Sequence, residues 1–145
     1  MSNTKTQNYA NHTRFDPAFH FFLAPVLLIT LIGTIVHAVK HPHLYSVWHV
    51  VLALALLVLA TLCRTYALKV QDRVIRLEER MRLAALLPEA QRGHIADLSV
   101  KQLVALRFAS DAELPALAER AWKENMEPKK IKQAIQVWRA DTFRV

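Results

Sequence analysis

Residues 44–87 read LYSVWHVVLALALLVLATLCRTYALKVQDRVIRLEERMRLAALL, and this stretch decides the fold. Its first part, Leu44–Cys63, contains no Asp, Glu, Lys or Arg, whereas Arg64–Leu87 is crowded with them. From Tyr45 to Leu87 neither Gly nor Pro interrupts the chain, and good helix formers fill it. One continuous helix is therefore predicted, beginning in an apolar solvent and ending in water at Pro88. Crossing a hydrocarbon core takes ~20 apolar residues, which residues 44–63 supply. Tyr45 and Trp48 stand at the start of the span, where aromatic side chains favour the interface. At 1.5 Å per residue, the polar continuation extends ~35 Å.

A second apolar run lies just upstream. Residues 18–39, AFHFFLAPVLLITLIGTIVHAV, also lack Asp, Glu, Lys and Arg. Asp16 and Pro17 suit a helix start, and Pro25 further in predicts a kink. Only Lys40 to His43 connect the two runs, so the predicted architecture is an antiparallel transmembrane hairpin. The connection carries Lys40 alone; Lys5 and Arg14 precede the first span; Arg64, Lys69, Arg73, Arg76, Arg80 and Arg82 follow the second. The positive-inside rule then puts both termini in the cytoplasm, with residues 1–17 as a cytoplasmic tail. Val36-His37-Ala38 resembles a signal-peptidase site, but the apolar run is too long and its lead too weakly basic for a cleaved signal.

The continuation, residues 64–87, is amphipathic. Cys63, Ala67, Val70, Val74, Leu77, Met81 and Ala84 recur at alternating steps of four and three, a heptad seam. Gln71, Asp72, Arg73, Arg76, Glu78, Glu79 and Arg80 fall outside it and read as a solvated face, with Glu78 and Arg82 spaced as an i,i+4 pair. The seam suits a coiled-coil contact between copies. Packing on the chain's own C-terminal helices is the preferred expectation, because Ala and Met make a weak zipper.

Residues 88–145 read as a small bundle of about three short helices. Residues 88–97 look like a loop. Ser99 with Gln102, and Ser110 with Glu113, form two capping-box patterns. Pro128 opens a third helix, with Ile131, Ala134, Ile135 and Trp138 on one face. Trp122 and Trp138 are expected as core anchors. A module this small needs a wall to pack on. Lys123, Lys129, Lys130 and Lys132 form a basic patch suited to solvent or anionic headgroups.

Composition narrows function mostly by exclusion. The net charge is +7, which in a soluble domain would raise nucleic acid as a partner. Basic flanks beside membrane spans account for it better. The single cysteine, Cys63, excludes an intramolecular disulfide; it reads as a packing residue, with palmitoylation the sharper alternative. With two glycines in the chain, no phosphate-cradling loop is present.

The seven histidines carry the chemical range. His37, His41, His43 and His49 gather near the outer turn, and small residues such as Gly33 and Ala53 would let His37 and His49 face each other. Imidazole suits a transition metal or haem iron, so these four are the candidate ligands, although no cofactor is the first expectation. At the inner end Asn11, His12, Arg14, His20, Arg64 and Tyr66 would converge, with Lys69 a turn further along the second helix. Of these, His12, Arg14, His20, Arg64 and Lys69 are the candidate contacts to lipid or a partner. No serine or cysteine sits in a nucleophile motif, which leans against an enzyme.

Three stretches together resemble a known family: NYANHTRFDPAFHFF, RTYALKVQDRVIRLEERMRLAALLP, and LSVKQLVALRFASDAELPALAERAWKENMEPKKIKQAIQVWRAD. The family is one of small two-span bacterial membrane proteins carrying a domain of unknown function. The resemblance implies a bacterial inner-membrane protein and brings no activity, cofactor or catalytic residue. The expected role is a membrane-anchored scaffold or accessory subunit, homo-oligomeric or part of a larger complex, with membrane lipids as surroundings. A histidine-based metal or haem sensor is the alternative. An oligomeric channel comes third, because neither span carries an intramembrane charge.

Overall fold

Helix formers without a breaker give a helix, and the decisive stretch is one. In the computed structural model, which describes residues 7–12 and 15–141, helix α2 runs through Leu44–Leu86, 43 residues. Pro88 follows in an extended conformation, as the missing N–H requires. Upstream, α1 covers Ala24–Lys40 and is entered through a π-helical stretch, Ala18–Leu23. Pro25 gives the physical reason. Its ring would clash with the carbonyl one turn back in an α-helix. The wider turn shifts the register, so that the Ala24 N–H donates to the Phe19 carbonyl, five residues back. A π-helical entry to α1 stands where a kink was expected.

Ala18–Lys40 and α2 are both long and apolar enough to cross a membrane. The 23 residues of the first span ~35 Å, more than the ~30 Å hydrocarbon thickness. The described residues divide into two compact units: residues 15–68, and residues 7–12 together with 69–141.

The unit of residues 15–68 is a helical hairpin. Its link is short: the His41 N–H donates to the His37 carbonyl at 2.8 Å, and α2 begins at Leu44. Ala24, Leu27, Leu31, Thr34 and Ala38 form the less exposed stripe of α1, at steps of three and four. On α2, Ser46 and Ala53 are buried one heptad apart, with half-buried Ala60 the next. Small residues there let the backbones approach. Gly33 does not share this role: a Cβ added to it would meet nothing within 4 Å, so its smallness serves no close contact. The hydroxyls of Thr30 and Thr61 donate to the carbonyls of Val26 and Leu57, one turn back in their own helices.

The second unit is a packed helical module, and α2 from Lys69 onward is one of its walls. After Pro88, residues 89–97 form a 3-10 helix rather than the expected loop, and Ile95 anchors it in the core. Helix α3 is Val100–Leu106, α4 is Leu114–Lys123 and α5 is Pro128–Ala134. Leu83, Leu87, Leu103, Leu106, Phe108 and Leu114 are fully enclosed, and Trp122 and Trp138 pack against this core from its edge, as anchors. The Ser99–Gln102 capping box is complete. The second box is not: the Glu113 carboxylate accepts from the Ser110 N–H but also from the N–H groups of Gln136 and Val137, tying in the C-terminal segment. The third helix stops at Ala134 instead of continuing to Trp138. Ile135 turns extended, and Trp138 forms an antiparallel bridge with Ala109, the Arg139 N–H donating to the Phe108 carbonyl at 2.7 Å. Pairing with residues 108–110 satisfies backbone groups that another helical turn would have left in the loop.

Helix α4 ends on Asn125, whose φ of 46° is left-handed. The Met126 N–H then reaches the Ala121 carbonyl at 3.1 Å, closing a Schellman-type cap.

Candidate functional site

The heptad seam is the feature whose placement matters most. A helix packed on one side buries one stripe, and α2 buries Ile75, Glu79, Leu83 and Leu87 within the module. These lie on the side of the helix opposite the seam. The seam itself faces outward: Val70 is 61% exposed, Val74 49%, Leu77 61% and Met81 62%. Ala84, at its end, is half-buried against the core. The expectation that the seam packs on the chain's own C-terminal helices is thus overturned. The core-facing stripe is a different one, which sequence periodicity did not separate from the seam because both repeat at helical steps.

Glu79 was grouped with a solvated face but is buried, 4% exposed. Arg82 holds it there, donating from Nη1 to Glu79 Oε2 at 3.1 Å, from Nε to Asp111 Oδ1 at 2.6 Å and from Nη2 to the Ala109 carbonyl at 2.7 Å. Arg82 therefore pairs with Glu79 and Asp111, not with Glu78 as its spacing suggested. Burial pushes the Glu79 carboxyl above its ordinary value, opposed by the nearby Arg82 and then Arg139. This network fastens α2 to the segment between α3 and α4. Asp111 lies 29 residues from Arg82, so no local pattern announces it.

The outer histidines are only partly brought together. The rings of His37 and His41 are 5.0 Å apart. His49 instead places Nδ1 2.8 Å from its own helix's Tyr45 carbonyl, with its ring edge-on to Tyr45. The backbone N–H of His43 donates to the carbonyl of His41. Among the described residues no group of three or more His, Cys, Asp or Glu is arranged to hold a metal.

The candidate inner contacts separate between the two units. Within the hairpin, the Asp16 carboxylate accepts from the Phe19 N–H at 3.1 Å, as a helix start requires. Arg64 lies 3.8 Å from Asp16 and stacks over the Phe19 ring. His20 turns Nδ1 to the Asp16 carbonyl at 2.9 Å. Asp16 and Arg64 edge an open cleft of about 460 Å³ whose walls include Leu23, Leu27, Leu56 and Leu59. His12 belongs to the other unit. Its ring stacks on Tyr9 and lies 5.8 Å from Phe108 and 5.9 Å from Trp138, with Lys132 Nζ at 3.2 Å. Lys69 stands exposed on α2, and Arg14 lies outside the described residues. Residues 7–12 are accordingly part of a folded unit: the Gln7 side chain accepts from the Asp141 N–H at 2.8 Å.

Against this geometry, the comparison with known families is direct: a family of unknown function matches residues 1–145. The chain belongs to the DUF6526 family. Membership agrees with the resemblance carried by the flanks of the two spans and the C-terminal segment, and DUF6526 carries no assigned activity. No curated protein matches the chain, and no solved structure does.

Proposed function

We propose that the protein is a membrane-anchored interaction protein of the bacterial inner membrane, a scaffold or accessory subunit. It crosses twice, with both termini cytoplasmic, and offers the outward face of α2 to a partner. The observation that carries this reading is the exposed row Val70, Val74, Leu77 and Met81 on a helix that has already buried its other side. Rows of large apolar side chains outside a core mark interaction surfaces. Two further observations support the topology. Six Lys or Arg lie within residues 64–82, just after the second apolar run, and one lies in the link. Residues 7–12 pack within the unit of residues 69–141, an arrangement that suits a chain entering and leaving the membrane on one side.

The test uses the full chain in native membranes, with a photo-crosslinking amino acid at Leu77. An adduct with any protein is the expected result. A strictly monomeric protein in mild detergent, with no adduct, overturns the reading. Cysteine labelling at residues in the link and in α4, from outside and inside, checks the topology.

A second reading rests on the His37–His41 pair, 5.0 Å apart. Two adjacent imidazoles at the C-terminal end of α1 are half of a transition-metal site, and a second copy of the chain could complete it. Elemental analysis and a visible spectrum of the purified protein decide it; no metal and no haem overturns it.

A further inference from the structure

The heptad register specifies what covers the exposed seam. With Val74 and Met81 at the first core position and Val70 and Leu77 at the second, Arg73 immediately precedes a core residue and Glu78 immediately follows one. In a parallel two-stranded coil those flanking positions meet across the interface when they are five residues apart. Arg73 and Glu78 are five apart and opposite in charge. Two-fold symmetry makes the contact twice, Arg73 of each copy against Glu78 of the other.

An antiparallel arrangement has no such complementarity. It sets like flanks against each other, bringing Arg73 toward Arg80, which repel. In one heptad, Val74 at the first core position with Leu77 at the second also favours two parallel strands. The module of residues 88–141 packs the far side of α2 through Ile75, Glu79 and Leu83, and so leaves the seam clear of its own chain.

We propose that α2 pairs through Val70, Val74, Leu77 and Met81 with the same face of a second copy, parallel and in register, with Arg73–Glu78 pairs across the two-fold axis. This rests on the membrane-anchored reading. Val70 to Met81 covers only ~17 Å of helix, a short seam for two free chains. Two copies inserted the same way in one membrane already run parallel, and confinement raises their effective concentration. A short seam then suffices.

The test is disulfide crosslinking of the full chain in native membranes, in a Cys63→Ala background. Val70→Cys and Leu77→Cys, both at exposed positions, should give oxidant-dependent dimers; Arg76→Cys, off the seam, sets the collisional background. Arg73→Glu or Glu78→Arg should each weaken the Val70→Cys dimer about fivefold, since two attractive pairs become repulsive. The double reversal R73E/E78R should restore it. Dimer yields at Val70 and Leu77 no greater than at Arg76 overturn the proposal, and so does a double reversal that fails to restore. If the photo-crosslinker at Leu77 then captures a different protein, self-pairing falls and the membrane-anchored reading stands. If it captures nothing, both fall.

Discussion

Replacing Arg82 with Met keeps an apolar stem of similar reach and removes the charge. Three partners are lost together. Asp111 is exposed, so its pair contributes little once solvent screens it. The Ala109 carbonyl loses a hydrogen bond worth about 1 kcal/mol. Glu79 dominates, because its carboxyl is 4% exposed and Arg139, at 4.0 Å, is a looser substitute. Breaking a buried pair from one side costs about 3–5 kcal/mol, and proton uptake by Glu79 caps the loss near the lower end. A total of about 3 kcal/mol in a unit of this size corresponds to a drop of roughly 12–24 °C in Tm. The assay is thermal unfolding of the full chain in mild detergent, followed by tryptophan fluorescence, since Trp122 and Trp138 border the core. Glu79→Gln in the Arg82→Met background removes the stranded charge and should recover at least half of the loss. A cost below about 1 kcal/mol for Arg82→Met, or no recovery in the double variant, refutes the argument that an enclosed carboxylate needs this guanidinium.

Other consequences can be read on the same preparation. The Glu79 carboxyl titrates above its unfolded value of 4.5, so the folded module binds the proton more tightly than the unfolded chain. Its contribution to stability is full below that value and is lost as pH rises through the folded pKa; Glu79→Gln should flatten this part of the profile, and an unchanged profile would assign the slope elsewhere. Gln102→Leu preserves volume but strands the Met126 carbonyl, which Gln102 Nε2 reaches at 3.0 Å, and the Ser99 N–H, bonded to its Oε1 at 2.8 Å. It should cost about 2 kcal/mol, measured as a shift in the urea midpoint. Asn125→Val forces a β-branched residue into left-handed backbone and should cost about 1–2 kcal/mol, whereas Asn125→Gly stays within about 0.5 kcal/mol of the parent. Equal stability of the two variants would show that the α4 cap does not depend on that conformation.

The long helix was legible because its signal is local and repeated: no breaker from Tyr45 to Leu87, and a change of solvent at Arg64. The two apolar helices and the Ser99–Gln102 cap were legible for the same reason. What escaped reading depends on distant partners. Residues 89–97 look like a loop until Ile95 finds the core. Ile131, Ala134, Ile135 and Trp138 satisfy the helical period, but Trp138 instead joins residues 108–110 across the module. Glu79 looks solvated until Arg82 pairs with it while also holding Asp111. The seam was found by its heptads, yet which side of α2 the module would take was beyond periodicity, because Ile75, Glu79 and Leu83 also recur at helical steps.

Residues 7–12 sit against Phe108, Lys132 and Trp138, and the Gln7 side chain binds the backbone of Asp141. Seen from the module of residues 69–141, the hairpin of residues 15–68 is an insertion between two pieces of one folded body. During synthesis the first piece leaves the ribosome well before its docking surface exists. It docks only once the hairpin and the last residues have been made. On the proposed double crossing, the module can close only if the chain crosses the membrane an even number of times. On the same proposed topology, a chain that inserted only one span would leave its two pieces on opposite sides of the bilayer, unable to close.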